Sequence, residues 1–259
     1  MRDRRRGGWS SPPPAPAASL PPCTTPPYAG RSASAPVGAD ITLPAQLILI
    51  AKQPVAGRVK TRLTPALSAA HAAQVAAACV TDTLAVLRAC AAARVVVVLD
   101  GSPRGLALDG LVVHPQVEGG LDRRLAGAFA AAFTDSSLPA LLVGMDTPQM
   151  TPDLLDRALG QLLDAETDAV LGCTEDGGWW GLGLMAADEQ LLHGVPMSTD
   201  STGAAQRQRL TSRGLRVAEL PVLRDIDAIE DLRAVVELLE AEGRPGSLGA
   251  LFRRLEQAS

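Results

Sequence analysis

The sequence predicts an α/β fold with a mostly parallel sheet and helices on both faces. Short apolar runs typical of buried strands recur along the chain, most clearly at residues 46–51 and 94–99. Segments of helical length, several of them rich in Ala, lie between most of these runs. Strands that alternate with helices pair in parallel through crossover connections, and the crossover helices cover both faces of the sheet.

The elements can be placed in order from apolar runs, turn residues and helix caps. The predicted strands occupy residues 46–51, 94–99, 111–114, 140–144, 168–172, 179–185 and 215–220. The predicted helices occupy residues 68–92, 121–133, 151–164, 199–212, 227–240 and 248–255. Ser68 and Thr151 stand where N-caps are expected, and Pro152 follows at the first helical position. Ligands of such sheets bind at the carboxyl ends of strands, so functional residues are expected in the loops that follow strands.

Composition and charge divide the chain into two parts. Its 259 residues are 47% apolar and 20% charged, with a net charge of −4. Residues 1–40 hold five Arg, two Asp and nine of the 20 Pro, so this part carries +3 and the rest of the chain −7. We expect residues 1–44 to form a disordered arm and residues 45–259 a single domain. An acidic body does not indicate a nucleic-acid partner.

Cysteine spacing and apolar segments favour a cytoplasmic protein. No two of the four Cys form a C-x-x-C pair, so neither a zinc site nor a redox pair is indicated. The longest apolar candidate for a membrane span, residues 83–99, is interrupted by Arg88 and Arg94, and no span is expected. The sequence does not determine the oligomeric state.

The loop after the first strand, residues 51–63, is a candidate phosphate site. The chain has only two Lys against 22 Arg, and both Lys lie in this loop. Lys supplies a compact ammonium where Arg supplies a planar fork, so this placement indicates a specific use of the ammonium group. Backbone amides and cations of such a loop can hold a di- or triphosphate, although a solvated basic loop is the alternative and the Walker A spacing is absent. The residues concerned are Lys52, Gly57, Arg58, Lys60 and Arg62.

Two later loops carry carboxylates that suit a divalent metal ion. Asp146 follows the fourth strand, where it is either a ligand for Mg²⁺ or Mn²⁺ or a turn residue. Asp225 and Asp227 lie two residues apart in a segment predicted to be extended, so they are expected to point to opposite faces and at most one to face the crevice. Asp227 is a second candidate metal ligand, or else the cap of the next helix with Glu230 completing a capping box.

A further loop combines two carboxylates, two glycines and two tryptophans, at residues 175–180. Gly177 and Gly178 allow the backbone to approach a ligand closely, and Trp179 offers a flat surface for a sugar or a base. These three residues are the candidate acceptor site. The alternative is a hairpin turn whose tryptophans pack in the core.

Four segments together resemble the bacterial DUF2064 family: residues 52–63, 144–148, 175–179 and 225–232. The first, K-x-x-x-x-G-x-V-K-T-R-L, is the most specific, and the others occur in the family's order. The family includes proposed glycosyltransferases and is similar to the GT-A, or nucleotide-diphospho-sugar transferase, superfamily. The resemblance covers about residues 46–240 and implies a three-layer, Rossmann-like GT-A fold.

The resemblance also implies roles for matched positions. Gly57, Lys60 and Arg62 would hold the nucleotide phosphates, and Gln116 would lie near the base or sugar. Asp146 and Asp227 would bind Mg²⁺ or Mn²⁺. For transfer of a sugar from a nucleotide-sugar, these roles imply that Lys60 is a catalytic cation that stabilises the leaving phosphate. Asp176 is then the candidate carboxylate that takes the acceptor's proton.

Three functions are compatible with these expectations. The first is a metal-dependent glycosyltransferase that moves a sugar from a nucleotide-sugar to a small-molecule acceptor. The second is a nucleotidyltransferase, similar to guanylyltransferases, that forms a nucleotide-diphosphate product. The third is a non-catalytic nucleotide-binding domain. The sequence does not determine the sugar, the base or the acceptor.

Overall fold

A computed structural model describes residues 42–257, and the prediction of a disordered arm therefore lies almost entirely outside the described residues. The strands are β1 (Leu43–Lys52), β2 (Ala92–Asp100), β3 (Val112–Pro115), β4 (Ala140–Val143), β5 (Ala169–Thr174), β6 (Trp179–Leu184) and β7 (Val217–Leu223). The helices are α1 (Ala69–Ala89), α2 (Leu121–Thr134), α3 (Pro152–Leu162), α4 (Thr202–Ser212), α5 (Ile229–Ala241) and α6 (Gly246–Gln257). Two short 3-10 helices lie at Thr61–Leu63 and Glu189–Leu191.

The strands form one mixed sheet in the order β3-β2-β1-β4-β6-β5-β7. Every neighbouring pair is parallel except the two pairs made by β6, which runs antiparallel to β4 and β5. This agrees with the predicted mostly parallel α/β sheet. The hairpin between β5 and β6 returns the chain without a crossover helix, which is why β6 alone is reversed.

Alternation along the central strands divides the core between the two faces of the sheet. Leu47 and Leu49 of β1 pack toward α1 and α3, whereas Ile48, between them, packs toward α2 and α4. All four residues of β4 and all six of β5 are buried, because helices cover both faces. The sheet and its two helical layers form the three-layer fold that the family resemblance implied.

Helix α1 is covered on two sides. One side packs on the sheet, and the other, through residues such as Val75 and Cys79, contacts the pair formed by α5 and α6. By length and composition α1 is the one helix among residues 42–257 that is apolar enough to cross a membrane. A core helix passes the same test, and 56% of its most apolar window is buried within the protein. The predicted apolar segment 83–99 is divided between α1 and β2.

Element boundaries differ from the predictions where long-range pairing or capping decides them. β1 begins at Leu43 rather than residue 46, because Leu43 pairs with Ala92 and donates its backbone N–H to the carbonyl of Ala91. Ser68 and Thr151 cap α1 and α3 as predicted, each side chain accepting a backbone N–H three residues later.

The alternative role considered for Asp227, as the cap of α5, is wrong. Helix α5 begins one residue later, and Ala228 occupies the N-cap position. The carboxylate of Asp231 accepts the N–H of Ala228 at 2.8 Å, so it fills the role predicted for Glu230. The side chain of Asp227 is thereby free to face away from the helix.

Candidate active site

A cavity of about 820 Å³ opens at the edge of the sheet where β1, β4 and β5 end. β2 and β3 lie on one side of β1, and β4 lies on its other side. The strand order therefore reverses between β1 and β4, which makes this edge a topological switch point. Lys52 ends β1, Gly144 follows β4 and Thr174 ends β5, and all three line the cavity. The loops chosen from the sequence as functional candidates therefore meet in one place.

The loop after β1 forms a basic wall of the cavity. Lys52 and Arg58 are exposed and line it, and neither forms an ion pair within the described part of the chain. Arg62 also lines the cavity but is paired with Asp227. Gly57 does not line the cavity; its φ of +77° marks a turn that shapes the loop.

Lys60 differs from the other cations because it is buried. Its side chain is 4% exposed, and its ammonium forms an ion pair with Asp146 at 2.5 Å and donates to the carbonyl of Ile226. Burial by itself lowers the pKa of Lys60, but the charge of Asp146 and other acidic neighbours outweighs this and the pKa is raised above its usual value. Lys60 is therefore a charged side chain with two of its three donors already engaged.

An acidic wall faces the basic loop. Asp176, Asp225 and Asp227 each offer a carboxylate oxygen, and these oxygens all lie within 4.8 Å of one another. Burial, followed by the charges of Asp176 and Asp227, raises the pKa of Asp225 to about 7. Clustered carboxylates that repel one another are stabilised when a divalent cation binds between them, and oxygen donors of this kind fit Mg²⁺ or Mn²⁺.

The expectation that Asp225 and Asp227 point to opposite faces is wrong. It assumed an extended segment, but β7 ends at Leu223 and the following residues up to α5 form an irregular loop. Ile226 between them is fully buried in the core made with α1, α5 and α6, while both aspartates line the cavity. Asp225 is thus a candidate site residue, although the sequence predicted that it and Asp227 would not both face the cavity.

The hairpin between β5 and β6 fixes the direction of Asp176. Its Oδ1 accepts from Thr174 Oγ1 at 2.6 Å and from the N–H of Gly178 at 3.0 Å. Gly177 has a φ of +88°, and a Cβ there would lie 1.8 Å from the carbonyl oxygen of Asp200. Gly178 lines the cavity whereas Gly177 lies behind it and holds the turn.

The two tryptophans have different surroundings. Trp180 is buried, packs over Gly172 and donates its indole N–H to the carbonyl of Pro221 at 2.9 Å. Trp179 is half-buried and lines the cavity. The alternative that the tryptophans pack in the core therefore holds for Trp180. Trp179, the residue predicted to contact the acceptor, lies where a ligand can touch it.

Gln116 lies at the side of the cavity next to β3. Its amide nitrogen donates to the carbonyls of Ala51, at 2.7 Å, and Val98, at 3.2 Å. Because both neighbours are acceptors, the amide orientation is determined and only the oxygen remains for a ligand. Gln116 can therefore accept a hydrogen bond from a base or sugar but has no donor to offer.

The sequence did not identify part of the cavity wall. The segment before α4 contributes Met197, Ser198, Thr199 and Asp200, α4 contributes its first residue, Thr202, and α2 contributes Arg124. Ser198 has a φ of +59°, and it and Lys60 are the two residues other than glycine with positive φ in the described chain. Strained backbone of this kind concentrates at functional sites. The run of hydroxyl residues was the available sequence signal, but its position depends on the tertiary fold.

Of the predicted site residues, the structure brings together Lys52, Arg58, Lys60, Arg62, Gln116, Asp146, Asp176, Gly178, Trp179 and Asp227 around the cavity. Gly57 and Gly177 shape neighbouring turns instead. Asp146 is bonded to Lys60, whereas the three carboxylates that lie closest together are Asp176, Asp225 and Asp227.

Comparison with known proteins confirms the resemblance. Residues 83–199 match the family described as "Uncharacterized protein conserved in bacteria (DUF2064)". No match was found among curated proteins.

Solved structures that share the fold include the following two. A proposed nucleotide-diphospho-sugar transferase from Desulfovibrio desulfuricans G20 is similar with a TM-score of 0.74 and 23% identity over 83% of this chain and 96% of that chain. A cytidylyltransferase from Leptospira borgpetersenii serovar Hardjo-bovis (strain JB197) is similar with a TM-score of 0.51 and 14% identity over 83% of this chain and 95% of that chain. At these identities the similarity establishes the fold.

Proposed function

From the DUF2064 match at residues 83–199 and the fold shared with a nucleotide-diphospho-sugar transferase, we propose that this chain is a metal-dependent glycosyltransferase that uses a nucleotide-sugar. The observation that carries the proposal is the meeting of a basic loop and three clustered carboxylates in one cavity at the switch point of the sheet. A diphosphate and a divalent ion need this combination of charges.

The diphosphate of the donor binds against the loop after β1. Lys52 and Arg58 are the cavity cations without an ion-pair partner among the described residues, so their charge is available to phosphate oxygens. Gln116, on the same side, accepts a hydrogen bond from the base or ribose through its free amide oxygen.

Mg²⁺ or Mn²⁺ fits between Asp176, Asp225 and Asp227, whose oxygens are close enough to share one ion. When bound there, the ion supplies the positive charge that neutralises the leaving diphosphate. The raised pKa of Asp225 is consistent with a group that loses its proton when a cation binds. Asp146, the other predicted ligand, is paired with Lys60 through Oδ1 and lines the same cavity.

The acceptor occupies the wall formed by Trp179, Ser198, Thr199, Asp200 and Thr202. An aromatic face beside several hydroxyls and a carboxylate suits a polyhydroxyl compound, because the hydroxyls of the acceptor find both donors and acceptors. A phosphorylated acceptor would meet the negative charges of Asp176 and Asp200 there. This distribution of charge favours glycosyl transfer to a hydroxyl over nucleotidyl transfer to a phosphate.

In the transfer, the acceptor oxygen bonds to the anomeric carbon of the sugar as the bond from that carbon to the diphosphate oxygen breaks. The electron pair of the broken bond leaves with the diphosphate, and the hydroxyl proton passes to a carboxylate. Asp176 was predicted for this last role, which requires that it be free of the metal ion. Loss of a general base typically costs on the order of 10²–10⁴ in rate.

The test is product analysis with the full chain, Mn²⁺, a panel of nucleotide-sugars and neutral polyol acceptors. Release of a nucleoside diphosphate together with a glycosylated acceptor is expected. Formation of pyrophosphate from a nucleoside triphosphate and a phosphorylated acceptor would instead establish the nucleotidyltransferase alternative. Asp225→Asn should abolish turnover, whereas Asp109→Asn, which removes an exposed carboxylate before β3, should not.

Asp176→Asn separates the two roles open to Asp176. A metal ligand predicts weaker Mn²⁺ binding in a titration without nucleotide. A proton acceptor predicts unchanged Mn²⁺ affinity and a fall in kcat with little change in the KM of the nucleotide-sugar.

A further inference from the structure

Lys60 is buried and has a backbone conformation that a side chain does not need if it only binds phosphate. Its φ and ψ are 48° and 38°, in the left-handed region that residues with a Cβ rarely adopt. Its side chain is nearly inaccessible at 4% exposure. Structure of this kind costs free energy and persists where the surroundings fix it, so its contacts should reveal what it does.

Those contacts join three separate segments of the chain. The ammonium bonds to the carboxylate of Asp146 and to the backbone carbonyl of Ile226, which lies 166 residues away. The N–H of Ile226 donates in turn to the carbonyl of Asp146 at 2.9 Å. The backbone groups of Ile226 are thus both satisfied, one by Lys60 and the other by the loop after β4.

Ile226 is the residue between Asp225 and Asp227. Ile226 is fully buried, and the hydrogen bond to its carbonyl comes from Lys60. Holding this one residue on both sides fixes the loop in the irregular conformation that turns the two neighbouring aspartates into the same cavity. The charge of Lys60 also reduces the repulsion among Asp146, Asp225 and Asp227.

We propose that Lys60 is the positioning residue of the candidate metal site, which presents Asp225 and Asp227 to one cation by anchoring Ile226, and is not a direct phosphate ligand. The inference rests on the metal site of the proposed function. It assigns phosphate binding to the other Lys of the same loop, Lys52, whose side chain is exposed at the cavity.

The two roles for Lys60 predict different binding behaviour. A positioning residue is needed for metal binding even when no nucleotide is present. A phosphate ligand is needed for nucleotide binding, but its removal leaves the affinity for a metal alone unchanged or higher, because one competing positive charge is gone. Titration with Mn²⁺ alone therefore separates them.

The experiment measures free Mn²⁺ by electron paramagnetic resonance during titration of the full chain without nucleotide. Lys60→Met should raise the Kd for Mn²⁺ by at least about tenfold, since loss of a group that orients metal ligands typically costs about 10–100-fold in metal affinity. Lys52→Met, which removes the same charge from the same loop, should change it less than about twofold but should weaken binding of a nucleoside diphosphate at saturating Mn²⁺. Lys60→Gln, whose amide can still donate to the Ile226 carbonyl, should lie between Lys60→Met and the parent.

The outcomes distinguish this inference from the proposed function. If the parent binds no Mn²⁺, the metal-dependent function fails and the role of Lys60 fails with it. If the parent binds Mn²⁺ and Lys60→Met binds it equally well while losing nucleotide affinity, only the positioning role is overturned. Should Lys60→Met not fold, as judged by circular dichroism, Lys60→Ala, which also removes the donor to the Ile226 carbonyl, decides: an Mn²⁺ affinity equal to that of Lys52→Met overturns the proposal.

Discussion

At the scale of the residue, Asp225 couples the site to pH. Its pKa is raised to about 7, first by burial and then by Asp176 and Asp227, whereas an Asp in an unfolded chain loses its proton near pH 4. Between these two values the folded protein binds more protons than the unfolded one. Stability of the metal-free protein should therefore fall as pH rises from about 4 to about 7.

Asp225→Asn removes this dependence because the amide carries no charge. In the presence of a chelator, the Tm of the variant should exceed that of the parent above pH 7 by roughly 2–6 °C, and the difference should vanish below about pH 4. Thermal unfolding followed across this pH range checks it, with Asp109→Asn as the control. Parallel Tm curves for parent and Asp225→Asn would contradict the raised pKa. With Mn²⁺ added the order should reverse, because only the parent retains the complete carboxylate cluster.

At the scale of the element, the hairpin between β5 and β6 places Asp176 and Trp179 through a close backbone approach. A Cβ at Gly177 would meet the backbone of Asp200, which has no rotamer by which to move away. Gly177→Ala should therefore lower the free energy of unfolding by more than about 3 kcal/mol and should also weaken Mn²⁺ binding.

Gly214→Ala is the matched control for this prediction. Gly214 has a similar positive φ of +79°, but a Cβ there would have no heavy atom within 4 Å. The strain of the left-handed backbone alone should cost about 1–2 kcal/mol. Denaturant unfolding of both variants measures the two values, and equal losses would show that the contact with Asp200 is unimportant.

The last helix depends on a carboxylate from α1. Asp82 accepts the backbone N–H groups of Ser247 and Leu248 at 2.8 and 2.9 Å, and it thereby caps α6 across the interface between the two helices. Asp82→Ala should destabilise the protein by about 1–2 kcal/mol. Thr81→Ala removes an exposed side chain next to it and should have a smaller effect in the same denaturant titration. Equal effects would mean that the cap contributes nothing specific.

At the scale of the whole molecule, ligand binding should be confined to one edge of the sheet. Hydrogen exchange with and without Mn²⁺ and UDP, and again with GDP, should show protection of residues 52–63 and of the loop that contains Asp225 and Asp227. Helix α6 packs behind α1, away from the cavity, and its exchange should change little. Protection that appears in α6 but not in residues 52–63 would place the nucleotide elsewhere.

The sequence by itself determined the layered α/β architecture, because local patterns of apolar and polar residues specify the buried strands, the helices and caps such as Ser68 and Thr151. It also identified the loop with both Lys residues and the carboxylates that follow strands. Only the tertiary structure decided that Lys60 is bonded to Asp146 and Ile226 and that Asp225 and Asp227 share one cavity. Alternation predicts side-chain direction only within a regular strand, and the 225–227 loop is fixed instead by a contact 166 residues away, about which local sequence carries no information.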